Sequence, residues 1–155
     1  MDNLMKNQKT LMISSNDKDN NLNISCAAYV YKKNKIYIYI SKIAKHYDNL
    51  LINPKISVMI IEDEKDAKTV FDRKRISLKC IANKIEHESK DIFKLFDESH
   101  GAKMMKILKT MDFDIFELEI LNGRFIAGFS KVFDIYIKEN EFVLKAVNYQ
   151  QHTKK

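Results

Sequence analysis

The chain has 155 residues, of which 45% are hydrophobic and 31% charged, with only 3 glycines and 1 proline. That length suits one domain of ordinary size with a real core, expected to span 1–155. So little Gly and Pro argues against long flexible linkers inside it. No apolar run reaches the roughly 18 residues that span a bilayer, and residues 1–9 lack the apolar stretch of a secretory leader.

The net charge of +6 suits nucleic acid, an anionic surface or a small polyanion, and does not choose among them. Cys26 and Cys80 lie in apolar runs without a CxxC pair, so both are expected as buried free thiols in a reducing, cytoplasmic setting.

Residues 10–15 (TLMISS) predict a first strand, and the Asn- and Asp-rich stretch 16–21 a turn. Residues 22–31 and 35–40 predict a hairpin across Lys32, Lys33 and Asn34. The run from Ile36 to Ile40 alternates β-branched and aromatic residues, which favours a pleated strand. From Ile43 the period changes. Ile43, Tyr47, Leu50 and Leu51 share one helical face, and Asn53–Pro54 ends that helix.

Residues 56–61 predict a strand, 62–75 a charged loop or short helix, and 76–85 another strand. Residues 89–111 read as two helices broken near His100 and Gly101, with Ser89 as N-cap. Strands follow at 113–120 and 124–129 across an Asn122–Gly123 turn signal. A last hairpin is expected over residues 138–140, then a flexible polar tail, 148–155. The whole predicts a mainly β (α+β) fold, an antiparallel barrel with a few peripheral helices rather than a doubly wound sheet.

There is no nucleophile elbow, Walker loop or GxGxxG, and no histidine has zinc-site spacing. Basic residues are interleaved with acids and no nucleic-acid recognition motif occurs, so nucleic acid is not an expected partner. Three features stand out. Lys45 and His46 sit at a strand-to-helix junction, where free N–H groups and the helix dipole favour an anion; a solvated basic face reads equally well. Arg73 and Arg75 share one face of a strand entry, and their planar forks suit carboxylates or phosphates. An ordinary charged strand entry would look the same. His152 stands in the polar tail, where most histidines are merely exposed, although histidine is a common axial ligand of haem iron.

Taken together, these segments resemble a known family. Residues 37–61 resemble the strand–helix–strand core of the FMN-binding split-barrel flavoproteins of the pyridoxamine-phosphate-oxidase-like superfamily. Glu62-Asp63-Glu64, then residues 71–78 (FDRKRISL), resemble the "EDE…FxRxRLTL" block of the HugZ-type haem oxygenases. Asp112-Phe113, then residues 123–129 (GRFIAGF), resemble that branch's "DF…GRYVGGFG" signature. The resemblance covers residues 11–135.

It implies a homodimeric split β-barrel with sites at the dimer interface. It also implies haem binding, oxidative haem cleavage for iron acquisition, and an external electron donor or reductase. Carried over residue by residue, Arg73 and His152 are the catalytic candidates, with His152 as ligand to haem iron. Lys45, His46, Arg73, Arg75 and His152 are the cofactor-binding candidates. The alternative implied function is an FMN-binding oxidoreductase, with Lys45 and His46 holding the phosphate. Lys45 stands where the family commonly has arginine, which keeps the charge but loses the fork.

Overall fold

The computed structural model describes residues 1–87 and 89–148. His152 and the rest of the tail beyond 148 lie outside the described residues. The eight strands are β1 (Thr10–Asn16), β2 (Leu22–Lys32), β3 (Lys35–Ser41), β4 (Lys55–Ile61), β5 (Arg75–Lys84), β6 (Phe113–Gly128), β7 (Lys131–Lys138) and β8 (Glu141–Ala146). The four helices are α1 (Asp2–Asn7), α2 (Lys45–Ile52), α3 (Lys90–His100) and α4 (Ala102–Leu108).

Strand order is β3-β2-β1-β4-β5-β6-β7-β8, and β6 also pairs with β3. Six antiparallel strands therefore close on themselves, and β7 and β8 extend the sheet beyond the closure. Closure pairs the six strands on both sides and leaves an enclosed barrel core, with β8 as the outer edge strand.

The interior is filled by alternate residues of each strand, including Leu11, Ile13, Ile36, Ile38, Ile60, Ile76, Leu78, Phe116 and Leu118. β3 is buried on both faces, which explains its unbroken apolar run. Ile36, Ile38 and Ile40 point into the barrel, while Tyr37 and Tyr39 lie in a second cluster with Phe96 of α3 and Met105 of α4. The cluster's aromatic rings pack at close range, with Tyr39 at 5.8 Å from Phe96 and 5.1 Å from Phe113.

Several expected turns are present. The hairpin at Lys33 and Asn34 puts both residues at positive φ, 50° and 62°, and the last hairpin does the same at Glu139 and Asn140. The Asp17 carboxylate closes the loop of residues 16–21 by accepting from the N–H of Asp19 and of Asn21. Ser89 caps α3, its hydroxyl oxygen accepting from the Ile92 N–H. Gly101, at φ 94°, ends α3 and starts α4.

Two expectations are corrected. Asn122–Gly123 is no turn; β6 runs unbroken through it for 16 residues. The register with β5 slips there, Cys80 facing Ile120 and Lys79 facing Asn122, so Leu121 is an extra residue in a bulge. Cys26 is exposed on the outer face of β2, and only Cys80 is buried. The polar first residues form α1, which drops Met5 into the core and whose Met5 carbonyl accepts from the Tyr29 hydroxyl at 2.7 Å.

Candidate functional site

Arg75 opens β5, and side chains alternate across a strand, so Arg75, Ser77 and Lys79 share the outward face. Across the β5–β6 ladder, Ser77 faces Arg124 and Lys79 faces Asn122; on the other side Ser57 of β4 faces Lys79. Ser57, Ser77, Gly123, Arg124, Lys79 and Asp134 line a shallow outward cavity of about 340 Å³. Its floor is made of small residues and its rim is cationic. Arg124 is held to Asp134, Nε at 2.8 Å and Nη2 at 2.7 Å from the same Oδ1.

Gly123 sits in the tightest part of this wall. A Cβ there would lie 2.3 Å from the Ser77 carbonyl oxygen and 2.7 Å from Leu78 Cδ2. Glycine is required by close backbone approach, not by a turn.

The two expected arginines differ. Arg73 donates through Nε and Nη2 to the Glu62 carbonyl, at 2.9 and 2.6 Å, and through Nη1 to Glu64 at 3.3 Å. Its fork bolts the 62–73 loop together. Arg75 donates Nη1 to the Arg73 carbonyl at 3.0 Å and lies half-buried at the edge of the outward face. Beside them, Asp72 accepts from the Phe129 N–H at 2.6 Å and fixes the β6–β7 end of the sheet against this loop.

Lys45 and His46 lie elsewhere. Ser41, just before them, pairs with Phe113 at the start of β6, whereas Arg75 pairs with Ile126 near its end. Thirteen residues of strand separate those positions, roughly 40 Å of extended chain.

Three backbone N–H groups ahead of α2 are already paired. The Lys42 N–H donates to the Asp112 carbonyl, the Ile43 N–H to Ser41 Oγ and the Ala44 N–H to the Ser41 carbonyl. Lys45 is exposed. His46 is buried, with Nδ1 at 2.7 Å from Ser25 Oγ, and its Nε2 has no partner among the described residues. Burial lowers its pKa below the usual 6.5, so near neutral pH the ring is uncharged and lends no cation to a phosphate.

A pH dependence follows. Because the folded ring resists protonation, acidification below about 6.5 favours the unfolded chain until the folded ring also titrates. The thermal midpoint is expected to fall between pH 7.5 and 5.5, and to fall less in His46→Gln. Equal pH slopes in the two proteins would show that His46 titrates freely.

Asp114 joins α2, β5 and β6. It accepts from the Tyr47 hydroxyl and pairs with Lys84 at 3.4 Å and Lys42 at 3.8 Å. Burial pushes its pKa up, but the Tyr47 hydrogen bond and both lysines outweigh that, and the net shift is downward.

Lys79, Ser77 and Arg124 were not singled out as site residues from the sequence. The signal was the period-2 continuation of Arg75 along β5 together with the partner opposite each position, and the latter needs the register.

Comparison with known proteins is consistent with this geometry. The pyridoxamine 5'-phosphate oxidase family model matches residues 1–127. The chain belongs to that family. It is 32% identical over 131 residues to the heme oxygenase HutZ of Vibrio cholerae, covering 83% of this chain and 74% of HutZ. Among solved structures it resembles Campylobacter jejuni ChuZ, with TM-score 0.81 and 29% identity over 87% of this chain, and spans 57% of the ChuZ chain. It also resembles a HutZ structure described as a heme storage protein, with TM-score 0.71 and 32% identity over 77% of this chain and 86% of that one. No helix among the described residues is long and apolar enough to cross a membrane.

Proposed function

We propose that this protein binds haem between two copies of itself and opens the ring oxidatively, releasing iron in the cytoplasm. The observation that carries the reading is the outward shelf on β4–β5–β6. Small residues Ser57 and Ser77 leave room for a flat ring, Lys79 and Arg124 line it, and Arg75 stands two residues along the same outward face of β5, for carboxylates. Kinship to the heme oxygenase HutZ supports haem as the occupant.

A second copy is part of the reading. The outer sheet face continues from the shelf through Met59, Ser57, Ser14 and Met12 to Ile24, which is 74% exposed, and Cys26. Leu22 extends it, 81% exposed. An apolar stripe beside a row of serines suits a self-complementary isologous contact. The separation of Lys45 from Arg75 along β6 also fits a site assembled from opposite ends of two chains.

Bound haem supplies both the oxygen-binding metal and the ring to be oxidised. The chain's own residues bind and orient it. Arg75 takes a propionate with its fork, Lys79 and Arg124 add positive charge, and Arg73 positions Arg75 by holding its own carbonyl against Arg75 Nη1. His152 supplies the imidazole that ligates iron, and an external reductase supplies electrons.

A second reading is storage of haem without cleavage, favoured by the HutZ structure described as a heme storage protein. FMN on the same fold is the alternative, compatible with the pyridoxamine 5'-phosphate oxidase family match, with a neutral His46 at α2 leaving Lys45 as the cation there.

The test is a haemin titration of wild type and His152→Ala, followed by ascorbate in air. We expect a Soret band that weakens or shifts in His152→Ala, and decays in wild type to a bile pigment. A stable Soret band under reductant in air would favour storage. FMN binding without haem binding would overturn both.

A further inference from the structure

We propose that the cavity between α3 and the start of β6 binds a small aromatic anion, such as a fused-ring carboxylate. The proposal stands apart from the haem reading, because the cavity lies towards the opposite end of β6 from the shelf. Ile115 lines the cavity and Asn122 the shelf, seven residues along, roughly 23 Å of extended strand.

The cavity holds about 500 Å³, within the range of sites that take small molecules. Its walls are aromatic. Phe93 of α3 stands edge-on to Tyr39 of β3, with ring centres 5.8 Å apart, and Phe113 lies 5.1 Å from Tyr39. Phe93 and Phe113 are only half-buried, so part of each ring is open to the cavity. The Tyr39 hydroxyl donates to the Leu108 carbonyl at 3.4 Å, and what Tyr39 offers the cavity is its ring. Such walls grip a flat ring by offset and edge contacts.

The charge left over is positive. Three carboxylates line the cavity, and each is already engaged. Asp97 pairs with Lys109 at 3.4 Å. Asp114 accepts from the Tyr47 hydroxyl and pairs with Lys84 and Lys42. Glu86 pairs with Lys84 at 3.8 Å. Lys109 is committed too, to Asp97 and to the Phe93 ring 4.8 Å away. Lys90 is exposed and has no ion-pair partner among the described residues. Lys94 has only Glu98, at 4.0 Å and exposed, a contact worth little. Two ammonium groups one turn apart on α3 therefore stand over the aromatic wall.

An aromatic cation finds no free carboxylate there, and a neutral ring leaves both lysines unused. An inorganic anion uses the lysines and not the rings. A carboxylate on a two-ring body meets both features at once, with its rings against Phe93 and Phe113 and charge-assisted hydrogen bonds from Lys90 and Lys94.

The probe is 2-naphthoate, titrated into the ¹⁵N-labelled full chain, with 2-naphthylmethanol as its uncharged counterpart. We expect shifts centred on residues 85–87, 90–97 and 109–115. 2-Naphthoate should bind about tenfold or more tightly than the alcohol, and raised salt should weaken the carboxylate alone. Lys90→Ala/Lys94→Ala should lose about tenfold for 2-naphthoate and leave the alcohol unchanged. Lys90→Arg/Lys94→Arg, which keeps the charge, should bind like wild type. Equal affinity for the two probes would overturn the proposal. So would an alanine variant that binds 2-naphthoate like wild type, or shifts that fall instead on residues 41–46, 75–79 or 122–124.

Haemin separates this site from the shelf. It should bind equally with and without saturating 2-naphthoate. Displacement of 2-naphthoate by haemin would make the cavity part of the haem site and defeat the inference. A protein that binds 2-naphthoate at α3 but takes up no haem defeats the haem reading alone.

Discussion

Gly123→Ala lowers stability by about 3 kcal/mol, a drop in thermal midpoint of roughly 6–12 °C for a chain of this size. The substitution is the smallest possible, yet its Cβ lands 2.3 Å from a backbone oxygen, Ser77 O, and 3.2 Å from Leu78 Cα. Flexible side chains can swing away from an intruding methyl, but a paired strand cannot. β5 and β6 share the longest ladder in the molecule, from Arg75↔Ile126 to Lys84↔Phe116, so local spreading has to be absorbed at the neighbouring bulge.

The same spreading moves Ser77 and Arg124, which belong to the outward shelf. Haem affinity in Gly123→Ala should therefore fall along with stability. Differential scanning calorimetry checks the first effect and haemin titration the second. A midpoint within 2 °C of wild type would show that β5 and β6 separate freely at Gly123.

Arg75→Ala weakens haemin binding about 10- to 100-fold, the loss expected for a charge-assisted contact worth roughly 1.5–3 kcal/mol. Arg73→Ala acts differently. Its guanidinium is already committed to the Glu62 carbonyl and the Glu64 carboxylate, so its removal frees the 62–73 loop and costs stability first. Haemin titration read beside thermal unfolding distinguishes the two. Affinity loss at an unchanged midpoint is the expected result for Arg75, and a lowered midpoint with a smaller affinity loss for Arg73. The reverse pattern would transfer the propionate contact to Arg73.

Local chemistry settled much of this molecule in advance. The unbroken run from Ile36 to Ile40 had to be a strand, because β-branched and aromatic residues in alternation pack on a pleated surface. Lys33–Asn34 and Glu139–Asn140 had to turn between apolar runs, and both adopt positive φ. Ser89 and Gly101 marked the limits of α3 through a side-chain cap and a permissive backbone. Nearest-neighbour signals of this kind act over a few residues, so they are readable from the sequence.

Long-range partners are not readable that way. Asn122–Gly123 carries the strongest hairpin signal in the chain, yet β5 lies against it and the glycine serves close approach instead. Cys26 sits in an apolar run, but its register opposite Met12 turns it outward. The polar first turn hid Met5, which enters the core while its carbonyl accepts from the Tyr29 hydroxyl. Arg73 and Arg75 share a strand entry and a charge, and only the placement of the Glu62 carbonyl engages one fork in the loop and leaves the other at the shelf.

The sequence by itself determined most of the strands, the three later helices and the family, because those depend on residue types and short spacings. Tertiary structure alone decided which basic groups stand together, because strand register, fixed by pairing across more than forty residues, sets which side chains share a face.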